Sequence, residues 1–200
     1  MAATDTITGN TYDKYASQNP VERRLMAGFF RALEASLPTT PPGYVLEVGV
    51  GEAEVTSIVS DRYGDLTVAG IDLPDPALAA AWSGKPVAGS FADIVALPFS
   101  DDRFDLVLAI EVLEHVDDPD GALAEIARVA TRDIVVSVPR EPIWRVANMA
   151  RGKYLSDLGN TPGHVQHWSA KRFTALVARH FEVVEVRTPF PWTMVQARVR

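Results

Sequence analysis

Residues 44–55 read YVLEVGVGEAEV. An apolar run from Tyr44 to Val48 breaks at two glycines and resumes in a segment with helical spacing. A short apolar run bounded by turn residues reads as a strand buried on both faces. Gly49 and Gly51 take dihedrals that other residues avoid and let backbone approach a ligand closely. The helix that follows offers its first N–H groups and the positive end of its dipole. The stretch therefore predicts strand, glycine turn and helix, the unit from which parallel sheets are built. The third glycine of the dinucleotide fingerprint is missing, since position 53 is Ala.

Working outward, the same alternation continues. NPVERRLMAGFFRALEASL (19–37) has helical spacing, with Asn19 as cap, Pro20 at the first helical position and Pro38 as stop. Strands are predicted at LTVAGIDL (66–73), PVAGSF (86–91), RFDLVLAI (103–110) and RDIVVSVP (132–139). Helices are predicted at 52–64, 118–130 and 169–181, the last capped by Ser169. EVVEVRTPF (182–190) and TMVQARVR (193–200) close the sequence as two strands, read as antiparallel because their connection is short. The fold class is α/β, a mostly parallel sheet with helices on both faces.

The 200 residues suit one domain, with residues 1–40 as an N-terminal helical segment and 140–168 as an insertion. The formal charge, 19 − 26 = −7, without a basic run, argues against a nucleic-acid surface. No cysteine is present, so disulfides and thiolate metal sites are excluded and a cytoplasmic setting is compatible. MAATDTITGN lacks the basic and apolar regions of a signal peptide, and no run reaches the ~20 residues of a membrane span.

In open α/β sheets ligands bind beyond the carboxyl ends of the strands. Asp72 ends the second strand, 23 residues after Gly49, where a carboxylate can accept both hydroxyls of a ribose. Asp93, after the third strand, can accept from an exocyclic adenine amine, with the Ile94 N–H facing a ring nitrogen. Together these residues predict an adenosine site.

The order VLEVGVGEAE, GIDL, ADIVALPFSDDRFDLVLAIEVLEHV and IVVSVP resembles the class I S-adenosylmethionine (AdoMet)-dependent methyltransferases of the methyltransferase-11 or quinone-biosynthesis type. The resemblance covers residues 40–140 closely and the rest in outline. It implies a Rossmann-like three-layer α/β/α sandwich, its seven-stranded sheet ordered 3-2-1-4-5-7-6 with the last strand antiparallel. It also implies AdoMet as cofactor. Glu47, Gly49 and Gly51 would form the methionine side, Asp72 would hold the ribose, Asp93 and Ile94 the adenine, and Ile110 would lie near the sulfonium, with Leu73 a further candidate cofactor contact. Tyr15 and Arg24 of the N-terminal segment are further candidate cofactor contacts. Two departures stand out: Ala53 replaces the usual small Gly, and Glu47 the commoner Asp.

EVLEHVDDP (111–119) follows the fourth strand. On a helical turn Glu111, Glu114 and His115 would share one face. Three readings stay open. The stretch is an ordinary turn whose acids cap backbone N–H groups, or His115 is an acid–base group, or the cluster holds a divalent ion. The third rests on resemblance: two groups of the superfamily carry E-x-x-E-H and use it for metal, with a histidine beyond the fifth strand that His164 in GHVQHWS (163–169) matches. His115 and His164 are the candidate catalytic residues, and His167 is the spare histidine.

Residues 140–168 form a long insertion of the kind that serves as a lid. Ile143, Val146, Ala147, Ala150 and Tyr154 share a helical face, which predicts a helix over 141–154 packed on the core or covering a substrate. The reading is an AdoMet-dependent methyltransferase acting on an oxygen, before nitrogen or carbon, of a small-molecule or lipophilic acceptor. With four basic residues against two acidic over 140–157, the insertion admits peripheral membrane contact. The alternatives are a non-catalytic nucleotide-binding module and an NAD-dependent oxidoreductase. The acceptor and the oligomeric state are not encoded in any motif.

Overall fold

The computed structural model describes residues 19–200 apart from positions 65 and 153. Tyr15 lies outside the described residues. Asn19 accepts the Val21 N–H through its side chain and starts helix α1, Pro20–Ser36. Seven strands follow: β1 Val45–Val48, β2 Val68–Asp72, β3 Val87–Phe91, β4 Phe104–Ile110, β5 Ala130–Pro139, β6 Glu182–Arg187 and β7 Trp192–Arg198. They form one sheet in the order 3-2-1-4-5-7-6. The first five strands pair in parallel, and β7 is antiparallel to both β5 and β6. The fold expected from the sequence is the fold observed.

The central strands are buried on both faces, which is why they read as unbroken apolar runs. One face packs against α4 (Pro119–Val129) and α6 (Ala170–His180), with Leu123, Ile126, Phe173 and Val177 fully buried. The other packs against α1 and α2 (Glu54–Arg62) through Phe29, Leu33, Val55 and Val59. Among the described residues, no helix is long and apolar enough to cross a membrane.

Helix α3, Pro76–Ala81, was not anticipated. Its signal was present: Asp75 caps the Ala77 N–H and Pro76 takes the first helical position. The insertion helix α5 is shorter than expected, Ile143–Ala150, and its inward face differs from the one predicted. Trp144 and Asn148 are buried, whereas Val146 is exposed. The indole N–H of Trp144 and the amide of Asn148 both donate to the Thr161 hydroxyl, at 2.9 and 3.2 Å. Those bonds tie α5 to the returning loop and set its rotation, which apolar spacing alone could not reveal.

Candidate active site

At the carboxyl edge of the sheet the loop after β1 turns through Gly49 (φ +70°), Gly51 (φ +49°) and Ala53 (φ +62°). The Gly49 and Val50 N–H groups donate to the Ile71 carbonyl at 2.8 and 3.1 Å, which locks the loop onto β2. The two glycines serve different ends. A Cβ at Gly49 would lie 2.2 Å from Cγ2 of Val112, in the loop after β4, so packing demands the glycine. A Cβ at Gly51 would meet nothing within 4 Å. Gly51 therefore presents bare backbone to open space, as a close-fitting ligand requires.

Asp72 grips this glycine. One carboxylate oxygen accepts the Gly51 N–H and the other the Leu73 N–H, each at 2.7 Å. Partial burial pushes the Asp72 carboxyl upward, and the two N–H bonds oppose that push. A carboxylate has about four acceptor positions, so each oxygen can still accept a hydroxyl. On the other side of Gly51 the indole of Trp82 donates to its carbonyl at 2.8 Å. Lys85 donates to the neighbouring Glu52 carbonyl and pairs with Glu54 at 2.7 Å. Trp82 fills the space over Gly89, where a Cβ would lie 2.2 Å from the ring, and packs 5.2 Å from Phe91. Neither Trp82 nor Lys85 was singled out from the sequence, because their roles depend on α3.

Glu47 sits beneath the loop, fully buried, with its carboxyl bonded by the Thr56 hydroxyl. Burial pushes its pKa up to about 8, so the group is mainly protonated at neutral pH. It supports the loop from inside the core. Ile110 is buried at the end of β4. The Asp93 side chain accepts the Val95 N–H at 3.1 Å, and the Ile94 side chain is a core anchor, which fixes the backbone of that turn. Leu73, Phe91 and Val95 are exposed around Asp72 and Asp93, an apolar surface suited to a flat base. Arg24 lines a groove on the outer face of α1 with Leu25 and Phe190.

The loop after β4 corrects the expectation that Glu111, Glu114 and His115 share a helical face. Glu111 has φ +60° and stands outside a short 3₁₀ turn, Leu113–His115. Its carboxylate accepts from the Ser137 hydroxyl at 3.0 Å. Positive φ at a non-glycine residue stores strain of the kind found at functional sites. Glu114, His115 and His164 do converge, with one potential ligand atom of each within 4.8 Å of the others. Glu114 and His164 are buried and His115 is exposed. The turn is fixed to the loop that follows α5: the Val165 and Gln166 N–H groups donate to the Glu114 carbonyl at 2.9 and 3.0 Å. The imidazoles meet edge to face at 4.9 Å, and Trp144 stacks on His164 at 6.1 Å. His115 Nδ1 lies 2.9 Å from the Gly163 carbonyl. A carbonyl only accepts, so this contact assigns the proton to Nδ1 and, in the neutral ring, the lone pair to Nε2. His167 bonds Asn160 at 2.7 Å and is not one of the converging three.

The comparisons agree with this geometry. Residues 46–136 match the family described as Methyltransferase domain. Norajmaline N-methyltransferase of Rauvolfia serpentina is 34% identical over 100 residues, which cover 46% of this chain and 34% of that protein. O-methyltransferase resE of Aspergillus sclerotiorum is 31% identical over 106 residues, 50% of this chain and 40% of that one. The chain thus spans only about a third to two fifths of the length of these curated relatives. A solved structure of a SAM-dependent methyltransferase from Aquifex aeolicus superimposes with a TM-score of 0.70 at 19% identity, covering 91% of this chain and 94% of that one. Residues 46–136 thus resemble a methyltransferase domain, and the chain has the fold of a solved SAM-dependent methyltransferase.

Proposed function

We propose that this chain transfers the AdoMet methyl group to an oxygen of a small-molecule or lipophilic acceptor, as a single domain whose 140–168 insertion covers the acceptor. The observation that carries the reading is the doubly held Gly51, its N–H on Asp72 and its carbonyl on Trp82, facing open space at the edge where the His115–His164 pair also stands. When bound, AdoMet supplies an electrophilic methyl on a sulfonium. Asp72 would hold the ribose, the turn at Asp93 and Ile94 the adenine, and the Gly49–Gly51 backbone the methionine end. Most of the rate gain comes from orienting two reactants. In this reading Nε2 of His115 would take the proton of an acceptor hydroxyl.

Titration calorimetry with AdoMet, its demethylated product and NAD tests the cofactor reading, and turnover of labelled AdoMet tests the activity. Asp72→Ala is expected to lose about 1.5–3 kcal/mol of AdoMet affinity, as for hydrogen bonds to a charged group. Trp82→Phe keeps the ring over Gly89 and removes only the N–H, which is expected to weaken AdoMet about 2- to 10-fold. Near-native affinity in Asp72→Ala overturns the site assignment.

A second reading of the histidine pair is favoured by the convergence of Glu114, His115 and His164. Their carboxylate and two imidazoles fit a divalent transition metal better than magnesium. Glu111, engaged with Ser137, does not join them. A metal there would polarise the acceptor hydroxyl and lower its pKa. Elemental analysis and calorimetry with Mn²⁺ or Zn²⁺ decide the matter. Stoichiometric binding lost in His164→Ala supports the metal, and activity indifferent to chelators returns His115 to the role of base.

A further inference from the structure

We infer a second ligand site, separate from the nucleoside cleft, for an elongated anionic amphiphile. It is a groove of about 490 Å³ between the outer face of α1 and the turn that joins β6 to β7. Its lining is Pro20, Val21, Arg24, Leu25, Gly28, Arg31 and Phe190. Val21, Arg24, Gly28 and Arg31 follow the 3–4–7 spacing of one face, beside the Phe29–Leu33 face that enters the core, with Leu25 at the boundary between the two.

Three observations point to a ligand. Val21 and Phe190 are 63% and 51% exposed, so the groove presents apolar surface on a face the sheet does not use. Arg24 and Arg31 are exposed, and among the described residues neither makes an ion pair and no carboxylate lines the groove. Seven helical residues separate them by about 10.5 Å along the axis, so they offer two anchors to one extended molecule. Between them Gly28 occupies the helix interior, where glycine is an unfavourable choice. Packing does not require it: an added Cβ would meet only the Arg31 guanidinium, at 4.0 Å. What the missing side chain provides is the floor of the groove.

The location favours a substrate-side role. Glu22 of α1 pairs with Arg151, just past the end of α5, at 3.4 Å, which places the N-terminus of α1 at the carboxyl edge. The Arg140 N–H, at the end of β5, donates to the Pro191 carbonyl at 2.9 Å, which places the Phe190 turn at that same edge. The groove opens beside the lid.

The test uses 4,4′-bis(1-anilinonaphthalene-8-sulfonate), an aromatic body with two sulfonates, followed by fluorescence and calorimetry. Wild type is expected to bind one equivalent, more weakly at high salt. Gly28→Leu fills the floor and leaves both charges, whereas Arg24→Ala/Arg31→Ala removes the charges and leaves the floor. Each is expected to weaken binding at least tenfold. Gly28→Ala should leave the thermal midpoint unchanged or raised, which separates loss of the site from loss of the fold. Leu155→Ser/Leu158→Ser, on the exposed lid surface, should bind as wild type does. The inference is overturned if wild type does not bind, if the groove variants bind normally, or if the lid variant alone loses the probe.

Discussion

Gly51→Val should leave the protein folded and abolish AdoMet binding, whereas Gly49→Val should strongly destabilise the fold. Both glycines have positive φ, so a valine at either position brings backbone strain of about 1–3 kcal/mol. Beyond that they part. At position 51 the Cβ of the new side chain meets nothing within 4 Å and points into the space proposed for the cofactor. At position 49 it starts 2.2 Å from Val112, whose loop also carries Glu114 and His115. Relieving that overlap means moving the loop after β4 away from the loop after β1, a further 1–3 kcal/mol or more. At roughly 2–4 °C per kcal/mol for a domain of this size, Gly51→Val should melt a few degrees below wild type and Gly49→Val on the order of 10 °C below it. Scanning calorimetry reads the fold and titration calorimetry the cofactor. Wild-type affinity in Gly51→Val would show that the open space beside the loop is not the ligand site.

This contrast also marks what was legible beforehand. The sequence identifies both glycines as loop residues, because an apolar strand ends there and a helical segment begins. It does not separate the one that packing needs from the one a ligand needs, since Val112 lies 63 positions away from Gly49. The strands, their order and the closing antiparallel pair follow from local runs and a resemblance, and the structure has them as expected. Asp72 was placed by its distance from the glycines, but its two backbone bonds become visible only when β2 lies beside β1. Glu111 was misassigned because helical spacing presumes helical dihedrals, and a single residue at φ +60° turns its side chain toward Ser137. Arg24, read as a cofactor contact, lies on the solvent side of an amphipathic helix whose other face carries Phe29 and Leu33.

Glu47→Gln should make the protein's stability much less dependent on pH between about 5 and 8. In the folded chain burial raises the Glu47 carboxyl from 4.5 to about 8. Below pH 4.5 the group is protonated in both folded and unfolded chains and exacts no penalty. As pH rises through this window the unfolded chain ionises while the folded chain holds its proton, so the unfolded state gains about 1.4 kcal/mol per pH unit. Above pH 8 both forms are ionised and the loss is complete, roughly 3–5 kcal/mol in all. Glutamine keeps an oxygen to accept from the Thr56 hydroxyl and removes the titration. Other groups titrate in both proteins, so the informative quantity is the difference between variant and wild type. That difference should grow in the variant's favour from pH 5 to pH 8, to several degrees in the thermal midpoint. A flat difference would mean that Glu47 is ionised in the native state. The buried acid beneath the glycine loop would then be a fixed negative charge close to where the sulfonium is proposed to bind, and AdoMet would be expected to bind more tightly than its neutral demethylated product, by a margin that Glu47→Gln removes.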